Sequence, residues 1–444
     1  MLSPARRTAF EILLRTERSE AFAAELLHSR HYAKLSSADH GLATDLVMGV
    51  LRWRSVLDVH IAKVSSQPLP KLDLEVLTAL RLAGYQMEFL SRVPQHAAVN
   101  ESVELVKQAK KSSAVAFTNA VLRKLTAKPK GKAPAAQIAQ ATGAADLSAV
   151  SAHPLWLVER WTKNFGLPFA RGICQHDQSI PETAIRLSDP KVEAELTQAG
   201  IELAPGTLLA SARRVKSGEI TGTQAFREGR VAIQDEASQL VALLVGKGSR
   251  ILDCCAAPGG KSRVMAEQNP QAALVAVELH AHRARLLRQL VPAKNVAVVA
   301  ADIRDFQPDE PFDRVLADVP CSGTGTLSRN PEIKWRLKPA DLADLARRQR
   351  DILQSAMRQV APGGLLVYST CSLEPEENTV VVESALAANR SFRPLDCRGE
   401  LEHLRAAGEL AGSDLDSLLA GPYLRILPGM HPCDGFFAAV LERV

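Results

Sequence analysis

Two short stretches of this 444-residue chain place a thiol where chemistry is possible: Asp318-Val319-Pro320-Cys321 and Ser369-Thr370-Cys371-Ser372. Each ends an apolar run with the character of a buried strand, so each cysteine falls just past a strand's carboxyl end. In an open α/β sheet that is where ligands bind. A thiolate there can bond transiently to an electrophilic carbon. A cysteine without such a task is ordinarily an inert packing residue. The two are candidates for a nucleophile and its assistant.

A third stretch reads as a ligand site. The strand candidate Ser249-Arg250-Ile251-Leu252-Asp253 turns through Cys254-Cys255-Ala256-Ala257-Pro258-Gly259-Gly260-Lys261 into a helix. Small residues and glycine let backbone amides approach a ligand closely. Gly260-Lys261-Ser262 matches the end of a phosphate loop, but the first glycine of that motif would fall at residue 255, a cysteine. A dinucleotide fingerprint needs three spaced glycines, and only Gly259-Gly260 is present. Glu278, at the end of a second strand, is placed to hold ribose hydroxyls, and Asp302, after a third, to accept from an adenine amino group. Each acid alone is more often a cap or turn former. Together they fit a nucleoside without a pyrophosphate, and S-adenosylmethionine is such a ligand. The expected donor contacts are Cys255, Ala256, Ala257, Pro258, Gly259, Gly260, Lys261, Glu278, Asp302 and Asp318, with Cys254 as packing. Lys261 is either a ligand or pKa-setting group, or a solvated lysine at the helix start.

Positioning these stretches side by side requires a particular order of elements, and from Val231 onward strand and helix alternate regularly. Residues 249–253, 273–278, 296–300, 312–318 and 365–369 are five buried-strand candidates with helical patterns between them, the mark of a doubly wound parallel sheet. Phe436-Phe437-Ala438-Ala439-Val440-Leu441 adds a further strand, expected as an antiparallel edge. Residues 1 to about 126 read as helices, with apolar residues at helical spacing in Ala9-Phe10-Ile12-Leu13, Leu42-Leu46-Val47-Val50-Leu51 and Val99-Val103-Val106. The expected domains are therefore an all-α module at 1–128, a Lys/Pro/Ala-rich linker at 129–150, a small α/β subdomain at 151–228, and the catalytic sheet at 229–444.

Hydrophobic residues make up 46% and charged residues 23% of the chain, as in a globular protein. No apolar run approaches the roughly 20 residues that span a bilayer, and the start lacks the apolar core of a secretory signal, so the expected compartment is the cytosol. Seven cysteines, at 174, 254, 255, 321, 371, 397 and 433, are odd in number and widely spaced, which favours free thiols over a disulfide framework. No C-x-x-C pair stands at zinc spacing, and no metal is expected. Residues 1–150 hold 20 Lys/Arg against 13 Asp/Glu, whereas 151–444 hold 34 against 36. That asymmetry suits a polyanionic partner, or simply a solvated helical surface.

The amino-terminal wording, Gln95-His96-Ala97-Ala98-Val99-Asn100-Glu101 with Phe117-Thr118-Asn119-Ala120-Val121-Leu122-Arg123, resembles the NusB-like helical RNA-binding domain. The resemblance implies phosphate contacts from Arg6, Arg7, Lys107, Lys110, Lys111, Arg123 and Lys124. The strings 253–261, Asp318-Val319-Pro320-Cys321-Ser322-Gly323-Thr324-Gly325 and Ser369-Thr370-Cys371-Ser372-Leu373 resemble the RNA cytosine-5 methyltransferases. With the NusB-like domain in front, the likeness is to the ribosomal RNA small subunit methyltransferase B type. It implies a Rossmann-like doubly wound methyltransferase sheet, S-adenosylmethionine as donor, and 16S ribosomal RNA or a small-subunit assembly intermediate as partner, with no membrane association and a monomeric chain. Cys371 of the T-C motif would be the nucleophile, Cys321 of the P-C motif would serve release, and Asp318 would support ring nitrogen 3. The segment Arg329-Asn330-Pro331-Glu332-Ile333-Lys334-Trp335-Arg336 could hold RNA with Trp335 as a stacking surface, or Trp335 could pack the following helix. Competing readings are methylation of tRNA or another RNA, a DNA or protein methyltransferase, and a non-catalytic assembly factor. DNA cytosine methylation typically uses the P-C cysteine, so the T-C cysteine argues for RNA.

Overall fold

The computed structural model describes residues 2–32, 34–126, 134–411 and 414–444, which divide into two units: residues 1–180 with Leu327–Arg336, and Pro181–Thr326 with Leu337–Val444.

The first unit is helical. Ser3 opens the helix Pro4–Arg18 by accepting from Arg6 N, with proline at the first turn. Ser36 caps Ser37–Ala62 in the same way. The helix Leu74–Phe89 is buried on nearly every side, and Ala79, Leu80, Leu82 and Ala83 are fully buried. It is the core against which Pro4–Arg18, Ser37–Ala62, Gln95–Gln108 and Val115–Thr126 pack. Arg6 is not on the surface: its guanidinium is buried, 2.6 Å from Gln86 Oε1 and 2.8 Å from Glu101 Oε1. It therefore leaves the expected phosphate-binding set, while Arg7, Lys107, Lys110, Arg123 and Lys124 are exposed.

The observed division differs from the expected boundaries. Within the expected linker, Pro134–Gln140 and Ala144–Ser151 are helices, and residues 127–133 lie outside the described residues. Leu155–Phe165 and Leu167–Gln178 group with the helical unit rather than with the strands that follow. The reason is amphipathicity: Leu157, Val158, Trp161, Ala170 and Ile173 form a fully buried helical stripe. Leu327–Arg336 also belongs to this unit. Trp335 Nε1 donates to Leu51 O at 2.6 Å, Lys334 Nζ to Arg52 O at 3.0 Å and Arg336 to Thr16 O and Ala21 O at 2.7 Å. The Trp335 ring also lies under the Arg54 guanidinium. It is engaged by the helix Ser37–Ala62, not by the helix that follows it, and is not a free stacking surface.

The second unit holds two sheets. The smaller is antiparallel, built from β1 (Thr183–Leu187), β2 (Glu202–Pro205), β3 (Ala212–Ser217) and β4 (Val231–Ile233) in the order β2-β3-β1-β4. The larger contains β5 (Arg250–Asp253), β6 (Ala273–Glu278), β7 (Val296–Ala300), β8 (Phe312–Asp318), β9 (Val360–Thr370), β10 (Phe392–Leu395), β11 (Leu419–Ala420), β12 (Tyr423–Ile426) and β13 (Phe436–Arg443). Its order is β11-β12-β13-β9-β8-β5-β6-β7, with β10 also on β13. Strands β5 to β9 are mutually parallel, and β13 runs antiparallel to β9. This is a Rossmann-like sheet whose order reverses between β5 and β8, the switch point where such sheets bind ligands. The two-residue period sorts the core: Ile251, Leu316 and Val367 face one layer, and Leu252, Ala317, Leu366 and Tyr368 the other. β13 is not an edge. Residues 436–441 are buried throughout, and β9, β12 and β10 all pair with it, as an all-apolar strand requires.

Candidate active site

The parallel pairing of β8 and β9 brings Asp318 opposite Ser369. Both chains then leave the sheet in short loops. Cys321 Sγ and Cys371 Sγ meet at 3.3 Å, each partly exposed. Gly325 N donates to Cys371 O at 2.9 Å, and Leu373 N to Thr324 Oγ1 at 2.9 Å. A side chain at 325 would collide with Gly435 O at 2.4 Å, so glycine is what lets these loops close. The hydrogen bond shared with Cys371, together with burial, pushes the Cys321 thiol well up, which favours its protonated form.

Asp318 is held from two sides. Its Oδ2 accepts from Lys261 Nζ at 2.8 Å and its Oδ1 from Ser369 Oγ at 2.7 Å. Burial works against the lysine's charge, but the attraction and hydrogen bond of Asp318 outweigh it and hold the ammonium above the ordinary lysine range. Lys261 also lies 5.0 Å from the centre of the Phe436 ring. Of the roles open to Lys261, orienting Asp318 is therefore the one the geometry displays.

The turn between β5 and the helix Gly260–Gln268 is tied to both neighbouring strands, by Cys254 N to Leu316 O and Ala256 N to Val277 O. Gly259 has φ +117°, and a side chain there would meet Leu287 and Val291. Cys254 is packed in the core with Leu252 and Val315. Cys255 is partly buried, and burial pushes its thiol well above the usual range. Glu278 is buried at the end of β6 and accepts from His280 N at 2.9 Å. Asp302, beyond β7, is gripped by Arg304 at 2.9 and 2.5 Å, which holds its carboxyl below the usual range.

Two residues of this site were not among the expected contacts. Ser369 stands two residues before Cys371, and only the strand pairing reveals that it faces Asp318. Asp253 ends β5 as Glu278 ends β6, so a signal existed in the register of strand-end acids. Its Oδ2 accepts from Ser262 Oγ at 2.6 Å, while Oδ1 is buried with no partner among the described residues. Burial, against that hydrogen bond, pushes its carboxyl up to about 7. An orphaned buried acceptor beside a tight glycine turn suits a ligand bearing an ammonium group, so Asp253 joins the residues that could hold an amino-acid-bearing nucleoside. Among the described residues no three His, Cys, Asp or Glu side chains gather as a metal site, the His28-Ser29-Arg30-His31 spacing included, and no helix is long and apolar enough to cross a membrane.

A Rossmann-like sheet with a tight glycine-bearing turn at its switch point, accompanied by a helical domain, fits the class of methyltransferases. Family comparisons agree on both parts. Residues 240–442 match the 16S rRNA methyltransferase RsmB/F family and residues 3–127 the NusB family. The chain is 32% identical to the probable ribosomal RNA small subunit methyltransferase B of Bacillus subtilis, over 99% of this chain and 98% of the relative. It is 35% identical to the ribosomal RNA small subunit methyltransferase B of Pseudomonas syringae pv. tomato, over 83% of each. The solved structure of PH0851 shares the fold across 100% of both chains, with TM-score 0.81 and 22% identity, and NSun6 from Pyrococcus horikoshii matches 64% of this chain and 97% of its own with TM-score 0.54 and 18% identity. The chain belongs to the RsmB/F family of 16S rRNA methyltransferases.

Proposed function

We propose that this enzyme uses S-adenosylmethionine to methylate carbon 5 of one cytosine in 16S ribosomal RNA, through a transient bond from Cys371 to carbon 6. The observation that carries the reading is the pair of sulfurs 3.3 Å apart at the ends of β8 and β9, with β8 adjoining β5 and its donor turn. Carbon 5 of cytosine is a poor nucleophile. Adding Cys371 Sγ to carbon 6 moves the ring electrons toward carbon 5 as an enamine. In its protonated form Asp318, oriented by Lys261 and Ser369, donates to ring nitrogen 3 as negative charge develops there and takes the proton back on release. When bound, S-adenosylmethionine supplies an electrophilic methyl group. Residues 255–261, Asp253, Glu278, Asp302 and Asp318 would hold it. After carbon 5 is methylated, its proton passes to solvent water, the C–H electron pair re-forms the double bond to carbon 6, and the carbon–sulfur pair leaves on Cys371 as thiolate. Cys321, in its protonated form, hydrogen-bonds the departing Cys371 thiolate. The base must leave its stack to reach the thiol, which favours a single-stranded or loop cytosine. Arg7, Lys107, Lys110, Arg123 and Lys124 are available to phosphates, and the work is cytoplasmic.

The full chain, labelled donor and undermethylated 30S particles, free 16S RNA or DNA test this directly. Label is expected in RNA as 5-methylcytosine, and label in DNA alone overturns the reading. Cys371→Ala should lower transfer by on the order of 10⁴-fold or more. Cys321→Ala should accumulate a protein–RNA adduct on a denaturing gel, and no retarded band would remove Cys321 from the release step.

A further inference from the structure

Two thiols on separate loops stay 3.3 Å apart although the β8–β9 ladder ends behind them. We infer that Glu377 is the positioning residue that sets this spacing. The inference rests on Cys371 and Cys321 being the working sulfurs. Glu377 lies beyond the T-C loop, in the turn Pro375–Glu377, and is fully buried. Its Oε1 accepts from Ser322 N at 2.8 Å and from Gln349 Nε2 at 2.8 Å. Its Oε2 accepts from the hydroxyls of both Ser322 and Ser372, whose oxygens are 3.0 Å from each other. Ser322 follows Cys321 directly, and Ser372 follows Cys371. One carboxylate thus joins the residues next to both sulfurs, with four donors meeting its four lone-pair sites.

The anchor is itself fixed. Tyr368 Oη donates to Glu377 O at 2.6 Å, and the neighbouring Asn378 accepts from Thr370 Oγ1 at 2.5 Å and donates to Ser372 O at 2.9 Å. Gln349, on the helix Asp341–Arg358, also donates to Pro320 O at 2.9 Å, so the residue before Cys321 is held by the same group. Hydrogen bonds to a buried carboxylate are short and directional. A neutral amide in its place accepts through one atom only and presents two N–H groups to hydroxyls that must then turn away. The loops would separate without loss of the sheet beneath them.

The test uses the full chain as Glu377→Gln, with Ser322→Ala/Ser372→Ala as a second variant that removes both hydroxyl ties and keeps the carboxylate. Single-turnover methyl transfer, donor affinity and melting temperature are measured, together with the equilibrium of the Cys321–Cys371 pair in glutathione buffers. There, glutathione disulfide takes two electrons and two protons from the thiols and leaves as two glutathione thiols. The linked peptides are quantified by mass spectrometry, so the equilibrium reports sulfur proximity, which a merely structural role would not move selectively. Transfer is expected to fall by about 10²-fold in either variant, as a displacement near 1 Å implies. The effective concentration of the thiol pair should fall at least ~10-fold, with donor affinity within about twofold of the wild type. A wild-type transfer rate in either folded variant overturns the proposal. So does lost transfer with an unchanged thiol equilibrium, or with donor affinity falling in parallel. If Glu377→Gln does not fold, the serine variant decides by the same criteria. Cys371→Ala in the same assay separates the two failures: transfer that survives it overturns the nucleophile and this inference with it, whereas transfer lost there but kept in Glu377→Gln overturns the positioning role alone.

Discussion

Asp253 keeps one oxygen on Ser262 and the other on nothing among the described residues, inside the core. Unfolded, such a side chain ionises near 3.9. Folded, it does so at about 7, because burial disfavours the charge. Between those values the folded chain binds the extra proton, so this contribution to stability is complete below about pH 4 and is lost as pH rises through about 7. Asp253→Asn in donor-free protein should flatten the decline of melting temperature between about pH 4 and 7, and an identical slope in the variant would refute the assignment. The cysteines and acids at strand ends were legible because an apolar run followed by a short loop announces where a side chain will stand. Ser369 and Glu377 were not, since their partners come from segments about 50 residues away in sequence.

The strands of the large sheet are legible for a related reason: parallel strands are largely continuous apolar runs, and four of the five expected ranges lie within one residue of the observed limits, whereas β9 begins at Val360, five residues before the expected start. β13 was found as a strand but misplaced, because position at the end of a chain says nothing of how many neighbours a strand will have. Its Phe437 stands opposite Thr370 and packs against Tyr368 and Tyr423, with ring centres 6.5 and 5.3 Å away. Phe437→Ala should cost about 3–5 kcal/mol in chemical denaturation. Thr370 is the last ladder residue before Cys371, so methyl transfer should fall more than donor affinity. A loss of stability below ~1 kcal/mol would show that the cavity closes.

Across the whole chain, the helical character of the first part was readable from its 3.6-residue period. The path of residues 327–336 was not, because the wording of Arg329–Arg336 suits an RNA-facing loop as well as a packed one. In the structure Glu332 Oε1 accepts from Ala23 N at 2.7 Å, and Lys334 is buried deeply enough that its ammonium is pushed down to about 7, with Asp177 opposing the shift. A buried amine in that state is held by its surroundings and is far from any solvated nucleic acid. A fragment ending at residue 180 should therefore melt below the helical part of the intact chain, and a synthetic 327–336 peptide should raise its melting temperature in proportion to occupancy. No response to the peptide would mean that the segment is a passenger.

The chain crosses from one unit to the other three times, after residues 180, 326 and 336. A gene cut once, at any of these seams, cannot yield two whole pieces, because the ten-residue wedge travels with the wrong half. Recombination that exchanged the amino-terminal domain for another of its kind would have to carry a matching wedge as well, which ties the inheritance of the two halves together.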